Sequence, residues 1–175
     1  FRVNNAQINP VVTEIGCNDF PVAYLSSLAI GGSEDTLLVT FSNYGVPSVW
    51  QSYNGGTYWE EISGNLPDMP IRWSLYHPQD SKRVMLATEI GIWSTNDASQ
   101  VNVIWEPDAG MPNVRIDMLQ MRTSDNVVLA ATHGRGLMYT TWNLYPSTAL
   151  AEFSPLQVNV FPNPASDFIR VKIGD

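Results

Sequence analysis

Apolar and polar positions along the chain form short blocks that recur about every 44 to 48 residues. Leu37-Leu38-Val39-Thr40, Val84-Met85-Leu86-Ala87-Thr88 and Val127-Val128-Leu129-Ala130-Ala131-Thr132 are continuous apolar runs, each ending in threonine near a glycine. Trp59 returns 46 residues later as Trp105, and Gly64 returns at the same spacing as Gly110. Thr13-Glu14-Ile15 precedes a glycine as Glu60-Glu61-Ile62 does 47 residues on. The runs are short, rich in Val, Ile, Thr and aromatics, and bounded by Gly, Pro, Asn and Asp, so they predict strands and turns. No stretch sustains the 3.6-residue period of an amphipathic helix.

A period of about 40 to 50 residues built of short strands is the sequence mark of propeller blades, each a four-stranded antiparallel sheet. Continuous rather than alternating apolar runs fit strands covered on both faces by neighbouring blades. Residues 1–16 read as the last strand of one blade, 21–64 and 70–110 as two whole blades, and 112–142 as most of a third. A closed propeller has roughly four to eight blades, so the chain is expected to be the C-terminal part of a longer protein. The last unit has no counterpart of Trp59 and Trp105, as would follow if its outer strand came from the N-terminal end of the ring and removed an open edge.

Composition narrows the partners. A net charge of -8 with nine Lys and Arg leaves little to neutralise phosphates, which excludes nucleic acid and disfavours anionic membrane surfaces. Charged residues are 15% of the chain, while Trp and Tyr are abundant, a balance that suits a secreted β-protein. No run of about 20 apolar residues exists to insert in a membrane. The single cysteine, Cys17, has no internal disulfide partner and reads as a small, semi-buried residue.

Ser52-Tyr53-Asn54-Gly55-Gly56-Thr57-Tyr58-Trp59 reads as strand, Asn-Gly turn with positive φ, and strand opening on a large aromatic. The Ser52 and Asn54 side chains can bond the turn backbone while the Trp59 indole packs over it near Gly56. The spacing Ser-x-Asn-x-Gly-x-x-Trp resembles the Asp-box, or BNR, repeat of sialidase-like, sortilin-like and xyloglucanase-like propellers, with Asn54 in place of the usual aspartate. Ala87-Thr88-Glu89-Ile90-Gly91-Ile92-Trp93 and Ala131-Thr132-His133-Gly134-Arg135-Gly136-Leu137 resemble middle hairpins of the same propellers. Ser94-Thr95-Asn96-Asp97 begins a second box, but Ala98 and Ser99 replace the glycines and an insertion precedes Trp105, so a looser hairpin is expected.

After Trp142 the pattern changes. Residues 145–157 are polar and Pro-containing and read as a linker. Val158-Asn159-Val160-Phe161-Pro162-Asn163-Pro164 reads as a strand and turn, followed by a second strand alternating Phe168, Arg170 and Lys172 with Ile169, Val171 and Ile173. This segment resembles the start of the type A C-terminal sorting domain of the type IX secretion system of Bacteroidetes. The resemblance implies recognition through Val158, Val160, Phe161, Pro162, Asn163, Pro164, Phe168, Ile169 and Val171. It further implies passage through the periplasm and the outer-membrane translocon, and handling by an outer-membrane shuttle protein.

Candidate chemistry is sparse. Arg72 and Arg115 follow Pro70 and Pro112 and are expected to begin successive innermost strands near the channel mouth, where a ligand would bind. Glu89 and His133 follow threonines in corresponding middle turns. Paired arginines hold a carboxylate in the sialidases resembled, but Val22-Ala23-Tyr24 of the first blade supplies none, so structural roles are expected. Glu60 and Glu61 are adjacent in a strand and point to opposite faces, unlike a glycosidase pair. His77, before Pro78, reads as a solvated turn residue. There is no HExxH, GxSxG, EF-hand, P-loop or cysteine-pair motif, so no catalytic residue, metal or cofactor is expected.

The sequence therefore predicts an all-β chain. Residues 1–144 form a partial β-propeller of four-stranded antiparallel blades, 145–157 a linker, and 158–175 the truncated start of a β-sandwich sorting domain. The expected function is a cell-surface export cargo whose propeller binds a glycan or another surface protein. The alternative is a secreted glycoside hydrolase, xyloglucanase-like or sialidase-like, with its catalytic residues in preceding blades.

Overall fold

The computed structural model describes residues 1–16, 18–144, 158–161 and 170–173, the last two by backbone pairing alone. The expectation for Cys17 lies outside them. Two compact units are present, Phe1–Leu144 and Tyr145–Asp175. No helix occurs among the described residues.

The first unit is a series of antiparallel sheets, as the period predicts. Blade 1 has the strand order β3 (Leu25–Ile30), β4 (Leu37–Phe41), β5 (Val49–Ser52), β6 (Glu60–Glu61). Blade 2 repeats it with β7 (Ile71–His77), β8 (Asp80–Thr88), β9 (Gly91–Thr95) and β10 (Glu106–Pro107). Among the described residues, blade 3 has three strands, β11 (Ile116–Arg122), β12 (Val127–Thr132) and β13 (Leu137–Thr141). Ahead of them, β1 (Arg2–Asn4) pairs with β2 (Val11–Thr13). Residues 1–16 thus supply two strands where one was expected. Asn5 and Asn9, at φ 54° and 52°, take the left-handed conformations that let the chain reverse, a role for which asparagine is suited.

The continuous apolar runs have a direct cause. Along β8, Val84 and Leu86 enter a cluster with Leu38, Ile62, Ile71 and Trp105 between blades 1 and 2. Met85 and Ala87 enter a second cluster with Ile116, Leu119 and Val128 between blades 2 and 3. Successive side chains of a strand point to opposite faces, and here both faces are dry, so every position is apolar. The same holds for β4, where Leu38 faces blade 2 while Leu37, Val39 and Phe41 pack with Trp59, Ile15 and Phe20. On β12 only Val128 and Ala130 are buried, and Leu129 between them is 39% exposed.

Each innermost strand opens with the same irregularity. The ladder skips one residue between Leu25 and Ser27, between Ile71 and Trp73, and between Ile116 and Met118. Ser26, Arg72 and Asp117 are therefore bulge residues at one shared structural position, released from the ladder at the same end of three adjacent strands.

Double coverage predicts a contrast between two leucines at comparable heights in their strands. Leu86→Ala should cost about 2–5 kcal/mol, as for a fully buried leucine, and Leu129→Ala about 1 kcal/mol or less. Urea denaturation of the 175-residue chain reads the difference, and equal losses would refute the tight packing of Leu86 between blades 1 and 2.

Candidate functional site

The Ser52–Trp59 hairpin closes through its own polar groups. Ser52 Oγ accepts from the backbone N–H of Gly56 at 2.9 Å and donates to Asn54 Oδ1 at 3.0 Å. Asn54 Oδ1 also accepts from the Tyr58 N–H at 2.9 Å, and the Trp59 indole N–H donates to the Gly56 carbonyl at 3.1 Å. Gly56 sits at φ 88°, with Ile15 pressed against the place a Cβ would occupy, so geometry and packing both require glycine there. The indole is 3% exposed and meets Phe20 edge-on at 4.8 Å.

The second hairpin is built differently. Asp97 Oδ1 accepts from the Ser99 N–H at 3.0 Å, a bond two residues long, where Asn54 reaches four residues to Tyr58. Trp105 does not cap its own turn. Its indole N–H donates to the Ile62 carbonyl of blade 1 at 2.8 Å, and Asn65 brackets its backbone, accepting from its N–H at 2.7 Å and donating to its carbonyl at 2.9 Å. A Cβ on Gly64 would stand 2.1 Å from the Val103 carbonyl, so this approach of two backbones also requires glycine. The spacing of the two tryptophans is a true repeat, but the polar anchors of their indoles are not the same.

At the rim, Ser26 Oγ lies 2.9 Å from Thr40 Oγ1 and donates to the Ile71 carbonyl at 2.6 Å, tying blade 1 to blade 2. Arg72 holds Glu89 Oε2 through Nη2 at 2.6 Å and Nε at 3.0 Å, both side chains about three-quarters buried. Arg115 Nε donates to Asp117 Oδ1 at 2.6 Å, and His133 Nδ1 lies 3.5 Å from Asp117 Oδ2. Burial alone would push the Asp117 carboxyl up, but the hydrogen bond and charge of Arg115, then those of His133, hold it below its ordinary value.

Strand register corrects the pairing of the two arginines. Arg72 corresponds to Asp117, and Arg115 precedes the strand. Counting from the prolines misplaces Arg115 because Pro70 directly precedes Ile71, whereas three residues separate Pro112 from Ile116. Glu89 and His133 do correspond, each following the threonine paired to the first residue of the innermost strand. The rim thus carries Arg72 facing Glu89 in blade 2, and Asp117 facing His133 and Arg115 in blade 3, each side chain with a partner in its own blade.

His77 is not solvated. It is 1% exposed, its ring meets Trp142 edge-on at 5.0 Å, and Nε2 lies 3.0 Å from the Trp142 carbonyl. Nδ1 accepts from the Gln79 N–H at 3.2 Å, so a neutral ring with its proton on Nε2 satisfies both contacts. Arg83 lies 5.8 Å over the Trp142 ring and donates to the Asn143 carbonyl, which fastens the end of blade 3 to the outer turn of blade 2. Glu60 and Glu61 are both exposed on β6, an outermost strand.

In the second unit β14 (Val158–Phe161) pairs antiparallel with β15 (Arg170–Ile173). The pairs Val158↔Ile173 and Val160↔Val171 alternate with Asn159↔Lys172 and Phe161↔Arg170. Pro162, Asn163, Pro164, Phe168 and Ile169 lie outside the described residues.

No family model matches the chain, and no curated protein matches it. Solved structures do. The chain is similar to the β-propeller domain of Cps50 (Swd1) of Myceliophteria thermophila, with a TM-score of 0.50 and 15% identity over 67% of this chain and 38% of that one. It is also similar to the extracellular domain of a putative hybrid two-component system of B. thetaiotaomicron, with a TM-score of 0.53 and 18% identity over 73% of this chain and 16% of that one. The chain spans well under half of either structure. At these identities the likeness is one of fold: the first unit is part of a β-propeller.

Two outcomes test the site. Trp59→Ala should cost about 3–5 kcal/mol in denaturant unfolding, and a loss below about 1 kcal/mol would show that the indole does not hold the hairpin. Asp117 has its folded pKa below 3.8, so its contribution to stability is present above that value and lost as pH falls through the folded pKa. Asp117→Asn should therefore flatten the acid limb of a plot of urea midpoint against pH, and an unchanged limb would remove Arg115 and His133 as its partners.

Proposed function

We propose that this chain belongs to a secreted cell-surface protein of a Bacteroidetes-type bacterium, exported as cargo of a type IX secretion system. Its second unit acts as the sorting signal, and its propeller as a binding or adhesion module for glycans or other surface proteins. The observation that carries the reading is Val158-Asn159-Val160-Phe161-Pro162-Asn163-Pro164 followed by a strand that pairs back on it. A strand, the sequence Pro-Asn-Pro and a returning strand are the pattern that opens the small sandwich the sequence resembles. A two-stranded sheet has too little core to be stable alone, so this hairpin calls for further strands or a receptor.

The surroundings support the same reading. The chain is acidic and rich in Trp and Tyr, and one fold neighbour is an extracellular domain. For the propeller, the proposed contact surface is the rim carrying Arg72, Glu89, Arg115 and His133, where hydrogen-bonding groups from two blades converge on one end of the innermost strands. Glu89 and Asp117 are each ion-paired to an arginine of their own blade, an arrangement suited to holding a polar ligand rather than to moving a proton. No residue is assigned a catalytic role, and no cofactor is assigned.

The test is a pull-down from native outer membranes with the full-length protein, its Pro162, Asn163 and Pro164 intact or all replaced by alanine. The translocon or shuttle should be recovered with the intact sequence only. Equal recovery with both would overturn the sorting role and leave the propeller rim as the place to look for function.

A further inference from the structure

Asn54-Gly55, in the first hairpin of blade 1, is the single Asn-Gly step in the sequence. An asparagine carboxamide lies within reach of the backbone nitrogen that follows it, and a glycine there carries no side chain to hinder ring closure. Asn54 is exposed, so water reaches its carboxamide and ammonia can leave. Its side chain serves the hairpin through Oδ1, which accepts from Ser52 Oγ at 3.0 Å and from the Tyr58 N–H at 2.9 Å. Nδ2 has no hydrogen-bond partner among the described residues. A carboxylate would offer the same two donors an acceptor at the same place, and a charged oxygen holds them more strongly than a neutral one.

The nitrogen that would attack is guarded. The Gly55 N–H donates to the Asp35 carbonyl at 3.0 Å, and Gly55 is buried although Asn54 is not. Its cover is Arg2 of β1, since a Cβ on Gly55 would collide with Arg2 Nη1. Arg2 is anchored in turn on the loop between β3 and β4, with Nη2 2.9 Å from Glu34 Oε2 and Nη1 3.8 Å from Asp35 Oδ1. The two carboxylates are 78% and 59% exposed, so this anchor is weak and sensitive to salt. The first strand of the chain thus closes over the hairpin as a clasp.

We propose that Asn54-Gly55 is a self-modification site gated by the Arg2 clasp, at which the neutral hairpin of blade 1 becomes a charged one. When the clasp opens, the Gly55 nitrogen leaves the Asp35 carbonyl and attacks Asn54 Cγ. The N–Cγ bond forms, the Cγ–Nδ2 bond breaks, and ammonia departs with the proton of the Gly55 amide. Water then opens the cyclic imide. Cleavage at Cγ restores the main chain and leaves aspartate, whereas cleavage at the Asn54 carbonyl carbon reroutes the main chain through the side chain. Only the aspartate returns an oxygen to Ser52 Oγ and the Tyr58 N–H with the turn unchanged, so the hairpin closes again on that product. The Arg2 guanidinium, over Gly55, supplies a cation beside the new charge. Ser52 pairs with Leu37, at the opposite end of β4 from Thr40 and the rim, so the modification leaves Arg72 and Glu89 untouched.

Peptide mapping by mass spectrometry tests this on the 175-residue chain held at mildly alkaline pH, with a synthetic peptide of residues 50–60 as the unguarded reference. Asn54 should convert ahead of every other asparagine of the folded chain, about tenfold to a hundredfold more slowly than in the peptide. Arg2→Ala should speed conversion in the chain by about threefold or more, and added salt should do the same for the unaltered chain while leaving the peptide unchanged. The aspartate product, separated by its extra negative charge, and the variant Asn54→Asp should both have a urea midpoint at or above that of the parent, and the rerouted product a lower one. An Asn54 still intact in the chain after more than about a hundred peptide half-lives would overturn the site. Equal rates in chain and peptide would remove the guard, and a chain rate indifferent to salt would remove Arg2 as the clasp. A lowered midpoint for Asn54→Asp would show that the hairpin does not accept the charge.

Discussion

The fold rests on an indole held between one blade and the turn that leaves the blade before it. No blade has a sufficient core of its own: β6 and β10 are two residues long, and the apolar residues of β4 and β8 point outward to both neighbours. The joint is therefore the cohesive unit, as in other repeat architectures where interfaces carry the stability. An aromatic side chain buries about 150–250 Å², which at ~25 cal/mol/Å² is an upper estimate of about 4–6 kcal/mol for each joint. Trp59 meets the leading turn through Phe20 and Ile15, and Trp105 through Ile62 and Asn65, so the wedge is common to both joints while its polar anchor differs.

Much of this was legible in the sequence, and the reason is locality. The side-chain hydrogen bonds that close the first hairpin lie within eight residues, from Ser52 to Trp59, so residue type and spacing specify them. The runs on β4 and β8 declare two-sided burial because no polar residue interrupts them. What escaped depends on contacts between blades or on counting across loops. His77 looks like a turn residue until Trp142, 65 positions away, closes over it. Trp105 looks like a second Trp59 until its indole is seen to reach Ile62. The arginines looked equivalent because loop length, unlike ladder register, carries no fixed count. One signal for the last was present: Asp117 follows Ile116 as Arg72 follows Ile71, which aligns the strands correctly.

The tail is legible in another sense. Its alternation fixes the β14–β15 register, with Val160 opposite Val171, but a hairpin of four-residue strands draws its meaning from what it joins. Sequence resemblance, not packing, gives that segment its functional reading. For the propeller the order is reversed, since there the packing is specified in detail.

The bulge at the head of each innermost strand separates two kinds of change. A residue outside the ladder can be exchanged without shifting the register of its strand, and the three blades already hold a serine, an arginine and an aspartate there. Ser26 spends its hydroxyl on the next blade, whereas Arg72 and Asp117 each meet the side chain that follows the paired threonine of the middle strand. The rim can thus vary as a set of interchangeable letters, one per blade, at a pace independent of the architecture beneath them.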